Sequence, residues 1–166
     1  MEKTSLKILV TGPYDAGKST LIHQLSKRAV SIDALGTTVG FDFASKFDEV
    51  ALVDMYIFGT PGHERFAFMQ EILAKGSTGI LLVVDSTYPE TFEFAKRILD
   101  RVQKAAGNGD IPLVVVANKQ DLEGSLTPDQ VRSELGLSDE IPVVGTVATT
   151  GEGVDDALSL LLTKIK

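Results

Sequence analysis

Eight consecutive residues constrain this chain more than any other stretch: Gly12-Pro13-Tyr14-Asp15-Ala16-Gly17-Lys18-Ser19. They satisfy G-x-x-x-x-G-K-[ST] at every fixed position. A strand-sized apolar run at residues 6–10 precedes them and a helical pattern at 18–29 follows, which is the context such a loop requires. Glycines let the backbone wrap until successive N–H groups face one point, and the helix N-terminus adds the positive end of its dipole. What such a nest accepts is a phosphate. Asp15, Ala16, Gly17, Lys18, Ser19 and Thr20 are the expected phosphate-binding set. Within it Lys18 would bridge the β- and γ-phosphates and Ser19 would ligate Mg²⁺ through its hydroxyl.

The rest of the chain repeats this strand-then-helix alternation. Apolar runs at residues 50–58, 79–84, 111–117 and 142–147 read as further strands, several of them continuous and β-branched, as expected for strands covered on both faces. Residues 41–47 alternate more and carry Asp42 and Lys46, so they read as an edge strand. Helices are expected at 88–106, with Thr87 and Glu90 at capping-box spacing, and from Thr127, with Pro128 in the first turn, Gln130 three residues on and Gly136 past the end. A last helix covers 154–165. The pattern predicts one α/β domain over residues 1–166: three layers, with a mostly parallel six-stranded sheet between helices on both faces.

The strand at 111–117 runs into Asn118-Lys119-Gln120-Asp121. Ligands of open α/β sheets bind beyond the carboxyl ends of strands, where this tetrapeptide falls. A carboxylate there can accept from both N1–H and the exocyclic amine of guanine, and adenine offers neither donor. Asp121 facing adenine would be left unpaired at about 1–3 kcal/mol or more. Lys119 can cover one face of the base, and Asn118 can brace the phosphate loop. At the end of the last strand, the backbone N–H of Ala148 is the expected donor to guanine O6, with Thr149 beside it. N-x-x-D alone is an ordinary turn sequence, but behind a phosphate loop it selects a guanine nucleotide, GTP or GDP.

Composition narrows the partners. The net charge of −7 and the absence of any Lys/Arg run argue against a nucleic-acid surface. There is no cysteine, so disulfides, thiolate metal sites and thioester or thioether lipids are excluded; Glu2 follows Met1, where myristoylation needs glycine. No direct lipid anchor is expected, and the cytoplasm is the expected location.

With these residues in hand, the chain resembles the Ras/Arf superfamily of small GTPases over essentially its whole length, which implies the P-loop NTPase fold of a G domain. Thr37-Thr38-Val39-Gly40-Phe41-Asp42 looks like switch I of the Arf branch, and the resemblance implies that Thr38 closes on Mg²⁺ and the γ-phosphate. Phe58-Gly59-Thr60-Pro61-Gly62-His63-Glu64-Arg65-Phe66 is closer to a prokaryotic (archaeal and bacterial) group of Arf-like and Ras-like GTPases, some of which work with Roadblock-type partners. By the same resemblance, Gly62 donates its N–H to the γ-phosphate.

Three positions depart from the eukaryotic pattern. Gly59 stands where those relatives have the switch II Asp that holds Mg²⁺ through water. Asp54 is too far along its strand to replace it, by roughly 17 Å, and Asp85, ending a strand, is the conceivable compensating anion. His63 stands where a water-positioning Gln is usual. It reads either as the residue that orients the attacking water or as a solvent-facing switch residue. Tyr14 puts bulk where an arginine finger would enter along the Ras route. His23 is expected to be structural.

The expected function is a GTP-binding switch with slow hydrolysis of GTP to GDP and phosphate, dependent on Mg²⁺ and on Lys18, Thr38, Gly62 and His63. Partners would be a GTPase-activating protein or an exchange factor, or a Roadblock-type protein, with the free protein a monomer. Phe41, Phe43, Phe66, Phe68 and Met69 flank the switches, and about half are expected to be core, the rest an effector patch. Two rivals are a GTP-dependent scaffold that barely hydrolyses and a ribosome-associated GTPase suggested only by Pro61-Gly62-His63.

Overall fold

The computed structural model describes residues 4–33, 40–107 and 110–165. A seven-stranded sheet forms its centre. In chain order the elements are β1 (Thr4–Thr11), α1 (Lys18–Leu25), β2 (Val30–Asp33), β3 (Gly40–Asp48), β4 (Val53–Gly59), α2 (Ala67–Ala74), β5 (Gly79–Asp85), α3 (Phe92–Ala106), β6 (Leu113–Asn118), α4 (Pro128–Leu135), β7 (Val143–Gly145) and α5 (Val154–Ile165). The spatial order is β2-β3-β4-β1-β5-β6-β7. β4, β1, β5, β6 and β7 run parallel, while β2 and β3 form an antiparallel edge.

Two apolar layers follow from the period of two along each strand. Leu6, Ile8 and Val10 of β1, Leu81 and Val83 of β5, and Val114 and Val116 of β6 point to one face, where α1 and α5 cover them. Leu9, Ile80, Leu82, Val84, Leu113, Val115 and Ala117 point to the other, under α2, α3 and α4. Continuous β-branched runs are therefore buried on both sides, each fully buried side chain contributing about 1.5–3 kcal/mol. Helix α3 meets the sheet through Phe92, Ala95, Ile98 and Val102, one stripe at helical spacing. No helix among the described residues is long and apolar enough to cross a membrane.

The structure corrects the sequence expectation in several places. The sheet has seven strands rather than six, because Val30–Asp33 pairs antiparallel with β3; four residues are too few for a periodic signal. Helix α2 was not expected either. β4 begins at Val53, because Asp48 Oδ1 accepts from the backbone N–H groups of Val50 (2.9 Å) and Ala51 (2.8 Å) and turns the chain there. Helix α1 stops at Leu25, where Ser26 is extended and donates its hydroxyl to the carbonyl of Ser45 on β3 (3.1 Å). Thr87 does not cap α3. Its N–H and hydroxyl both donate to Asp85 Oδ1 (2.9 and 2.6 Å), and the helix starts at Phe92 after a short 3₁₀ turn. The capping box at Thr127 and Gln130 is formed on both sides, and Gly136 takes the left-handed conformation at φ 66°.

Candidate functional site

All the expected site residues that the structure describes lie at the carboxyl edge of the parallel strands. β1 leads into the phosphate loop, and Gly12 (φ 145°) brings it so close to β5 that a Cβ would lie 2.1 Å from the Val83 carbonyl oxygen. Gly17 (φ 103°) is held as tightly from the other side, because a Cβ there would meet Asn118 Nδ2 at 2.2 Å. Only glycine fits either place. Lys18 is buried, and its ammonium donates to the carbonyls of Gly12 (2.8 Å) and Pro13 (2.7 Å). Burial lowers its pKa to about 8, against the smaller raising influence of Asp42 and Asp15.

Asn118 is the central brace. Its Nδ2 donates to the Ala16 carbonyl (2.9 Å), and its Oδ1 accepts from the Thr146 hydroxyl (2.9 Å) and the Ala148 N–H (3.0 Å). One buried amide thus joins the phosphate loop to the loop after β7. The Ala148 N–H, expected as a free donor to a base oxygen, already has an acceptor in Asn118. Lys119 takes a left-handed conformation (φ 68°) and forms an ion pair with Asp85 (2.8 Å). That pair and the Thr87 hydrogen bonds hold the Asp85 carboxyl below its usual range, against the opposing and largest single influence, burial. Asp85 is therefore engaged beside Lys119 and is not among the residues bounding the cavity at Ser19. Gln120 Nε2 donates to the Ser86 hydroxyl (3.0 Å) and the Leu126 carbonyl (2.9 Å), so the variable position of the tetrapeptide also anchors its loop.

Two cavities run together here. One of about 470 Å³ is bounded by Lys18, Ser19, Asp42, Thr60, Gly62 and His63, with Tyr14 at its rim. The other, about 190 Å³, is bounded by Asn118, Asp121, Leu122, Val147, Ala148 and Thr149. They share Gly17, Thr20 and Lys119. Asp121 stands exposed beside the smaller cavity, with no partner among the described residues. The combined trough is polar at one end and slot-like at the other. Thr37 and Thr38 lie outside the described residues.

Asp42 is the residue beside the phosphate loop to which the sequence assigned no place in the site. It is buried, its Oδ2 accepts from the Ser19 hydroxyl (2.5 Å), and its Oδ1 accepts from the Ser31 hydroxyl (2.6 Å). The register explains how it arrives there: Asp42 on β3 stands directly opposite Gly59 on β4. A Cβ at Gly59 would lie 2.4 Å from Ile22 Cδ1, the end of a side chain that can turn aside, and 3.3 Å from Asp42 Cβ, so a larger residue there would crowd both. The neighbouring strand is the one that places a carboxylate beside Ser19. Asp54, by contrast, is in register with Ser5 at the far end of the sheet. A signal did exist in the sequence, since Asp42 alternates with Phe41 and Phe43 and so faces the opposite side of its strand. Its value became readable only with the register.

Switch II begins at Thr60, whose hydroxyl shares a buried hydrogen bond with Thr11 (2.8 Å). Gly62 then packs against the phosphate loop, where a Cβ would lie 2.4 Å from the Tyr14 nitrogen. His63 is half-buried at the cavity wall. Its ring stacks on Tyr14 at 4.0 Å between centroids and 28° between planes. His23, expected to be structural, is exposed on α1. Of the apolar residues near the switches, Met69 is buried, Phe41, Phe43 and Phe66 are half-buried, and Phe68 is exposed.

A glycine nest with a buried lysine, joined through Asn118 to a slot with a free carboxylate, defines a small GTPase of the Ras/Arf superfamily. Comparison with known proteins agrees. The chain matches the ADP-ribosylation factor family over residues 1–165. It is also 32% identical over 162 residues to the Ras-related protein Rab-4A of mouse, zebrafish and human, which covers 96% of this chain and 73–75% of those proteins. The chain belongs to the ADP-ribosylation factor family. It is a GTP-binding switch and a GTPase, converting GTP to GDP.

Proposed function

We propose that the trough holds GTP with its triphosphate over residues 15–20 and its base between Lys119 and the 148–149 turn, and that the switch state is read by a protein partner. The observation that carries this is the Asn118 amide, which fixes the base-side and phosphate-side loops to one another. Asp15, Ala16, Gly17, Lys18, Ser19 and Thr20 hold the phosphates. Asp121 accepts from guanine, and the backbone at Ala148 and Thr149 faces O6, with Ala148 sharing its N–H with Asn118.

The donor set at Ser19 fits Mg²⁺, which takes one or two protein oxygens and completes its shell with phosphate and water. Ser19 and Thr38 would hold the ion, and Asp42 would orient the Ser19 hydroxyl and accept from the ion's water. When bound, Mg²⁺ neutralises charge between the β- and γ-phosphates. Lys18 supports the same oxygens from the loop side.

Hydrolysis by the protein alone is slow, because His63 is held on Tyr14 rather than over the in-line water. Such a stack contributes about 0.5–1.5 kcal/mol, little enough for a partner to break. That partner is a GTPase-activating protein, an exchange factor or a Roadblock-type protein. The Gly59-to-His63 segment supports placing the chain nearest the prokaryotic Arf-like and Ras-like group, since Gly59 and His63 both depart from the eukaryotic pattern. As part of the same proposal, the protein works in the cytoplasm.

The test is a titration with GTP, GDP and ATP, with and without Mg²⁺, on the wild type and on Asp121→Ala. GTP and GDP bind, ATP does not, and the variant loses about tenfold or more in guanine affinity. Equal binding of ATP would sink the base assignment. Single-turnover hydrolysis with Mg²⁺ should be of order 10⁻⁴ s⁻¹, and a rate far above this would sink the account of His63.

A further inference from the structure

Gln70, in the first turn of α2, is fully buried, yet nothing in the packing of α2 on α3 calls for an amide there. Both ends of its side chain are used. Nε2 donates to the Pro61 carbonyl (2.8 Å), and Oε1 accepts from Arg101 Nη1 on α3 (2.7 Å). Arg101 Nη2 also donates to Glu64 (2.7 Å), in the turn after Gly62. The guanidinium has donors only, so it dictates which way the amide lies: the oxygen must face Arg101 and the NH₂ must face Pro61.

That orientation passes on to the next group. In a trans peptide the C=O and N–H point in opposite directions, and no peptide among the described residues is cis. With the Pro61 carbonyl drawn toward Gln70, the Gly62 N–H of the same peptide points away from Gln70. Pro61 and Gly62 both line the phosphate cavity. Gly62 is buried, and among the described residues its N–H has no acceptor. A donor at the cavity wall with no partner in the protein is available to an acceptor that enters the cavity.

We propose that Gln70, locked in orientation by Arg101, is the positioning residue that presents the Gly62 N–H to the terminal phosphate of GTP. The inference rests on the reading of the trough as a guanine-nucleotide site, with the γ-phosphate beside Gly62. Its consequence is directional. Contacts on α3 bear on the hold for GTP, because it alone carries that phosphate, and leave the hold for GDP unaltered.

The experiment measures affinities for GDP and for the non-hydrolysable guanosine 5′-(β,γ-imido)triphosphate, with Mg²⁺, in three proteins. Gln70→Glu keeps the shape and the Arg101 contact but sets an oxygen against the Pro61 carbonyl. Arg101→Met leaves the amide free to rotate and keeps an apolar side chain of similar length at a half-buried position, so it provides a readout if Gln70→Glu fails to fold. Thermal melting accompanies each. Gln70→Glu is expected to lower the triphosphate-to-diphosphate affinity ratio about tenfold, with GDP affinity within twofold of wild type; Arg101→Met shifts the same ratio by a smaller factor. An unchanged ratio in the folded variants overturns the proposal, as does an equal loss for both nucleotides, which a merely structural role would produce. A wild type that binds neither nucleotide would instead bring down the reading of the site itself.

Discussion

The loop at residues 12–19 and the segment at residues 59–66 face each other across one cavity but are held in different ways. The phosphate loop is fastened by groups with no alternative. Gly12 lies against the β5 backbone, Gly17 against Asn118, and Lys18 is buried with two carbonyls at its ammonium. Switch II is held by contacts that can be exchanged: a ring stack at Tyr14, an amide at Gln70 and an ion pair at Glu64, whose carboxylate is more than half exposed. Under the proposed function, the first region binds what every guanine nucleotide shares, and the second reports the one phosphate by which GTP and GDP differ, so it has to be movable. Rigidity and exchangeability are divided between the two walls.

Four outcomes would break or sharpen that contrast. Removing the buried cation with Lys18→Ala should do most, leaving phosphate oxygens unpaired and costing about 3 kcal/mol or more, beyond a hundredfold in affinity for both nucleotides by calorimetry. If GDP binding survived, the phosphate loop would not be the rigid anchor described.

Next comes pH. Lys18 has its pKa lowered to about 8, and phosphate favours the charged form. Below that pH the lysine is already protonated and binding takes up no proton. Above it, binding must take one up, so affinity falls by up to about tenfold per pH unit. Calorimetry at pH 9 in buffers of different ionisation enthalpy detects that uptake. No uptake would show that Lys18 does not meet the phosphates.

Asp42→Asn should act on the junction between the regions. It keeps the shape but removes the charge facing Ser19, so the gain in GTP affinity on adding Mg²⁺ should shrink by about tenfold. An unchanged gain would show that Asp42 does not act on the ion through Ser19.

The smallest effect concerns the movable wall alone. Tyr14→Ala removes a stack of about 0.5–1.5 kcal/mol, and releasing His63 should raise single-turnover hydrolysis by roughly two- to tenfold without altering GDP affinity. Tyr14→Phe keeps a ring and should stay near wild type. A fall in rate in Tyr14→Ala would mean that the stack holds His63 in its working position.

The strand-and-helix alternation, the glycine loop at residues 12–19 and the place of residues 118–121 at the end of a strand were all legible in the sequence, because each depends on local periodicity or on fixed spacing within a few residues. Gly12, Gly17, Lys18 and Asn118 declare themselves in that way. β2 was not legible, since its four residues become a strand only by pairing with β3. Nor was the start of β4, which an Asp48 turn moves three residues later than the apolar run suggests. The missing carboxylate at Gly59 shows the division most clearly. Sequence alone determined that the position is glycine, and that its neighbours along the chain offer no substitute. Only the tertiary structure decided that Asp42 faces Ser19 instead of Asp85, because register between strands is a property of pairing and not of order along the chain. The same holds for Gln70 and Arg101, distant in sequence and ordinary in composition, which meet only when α2 packs on α3.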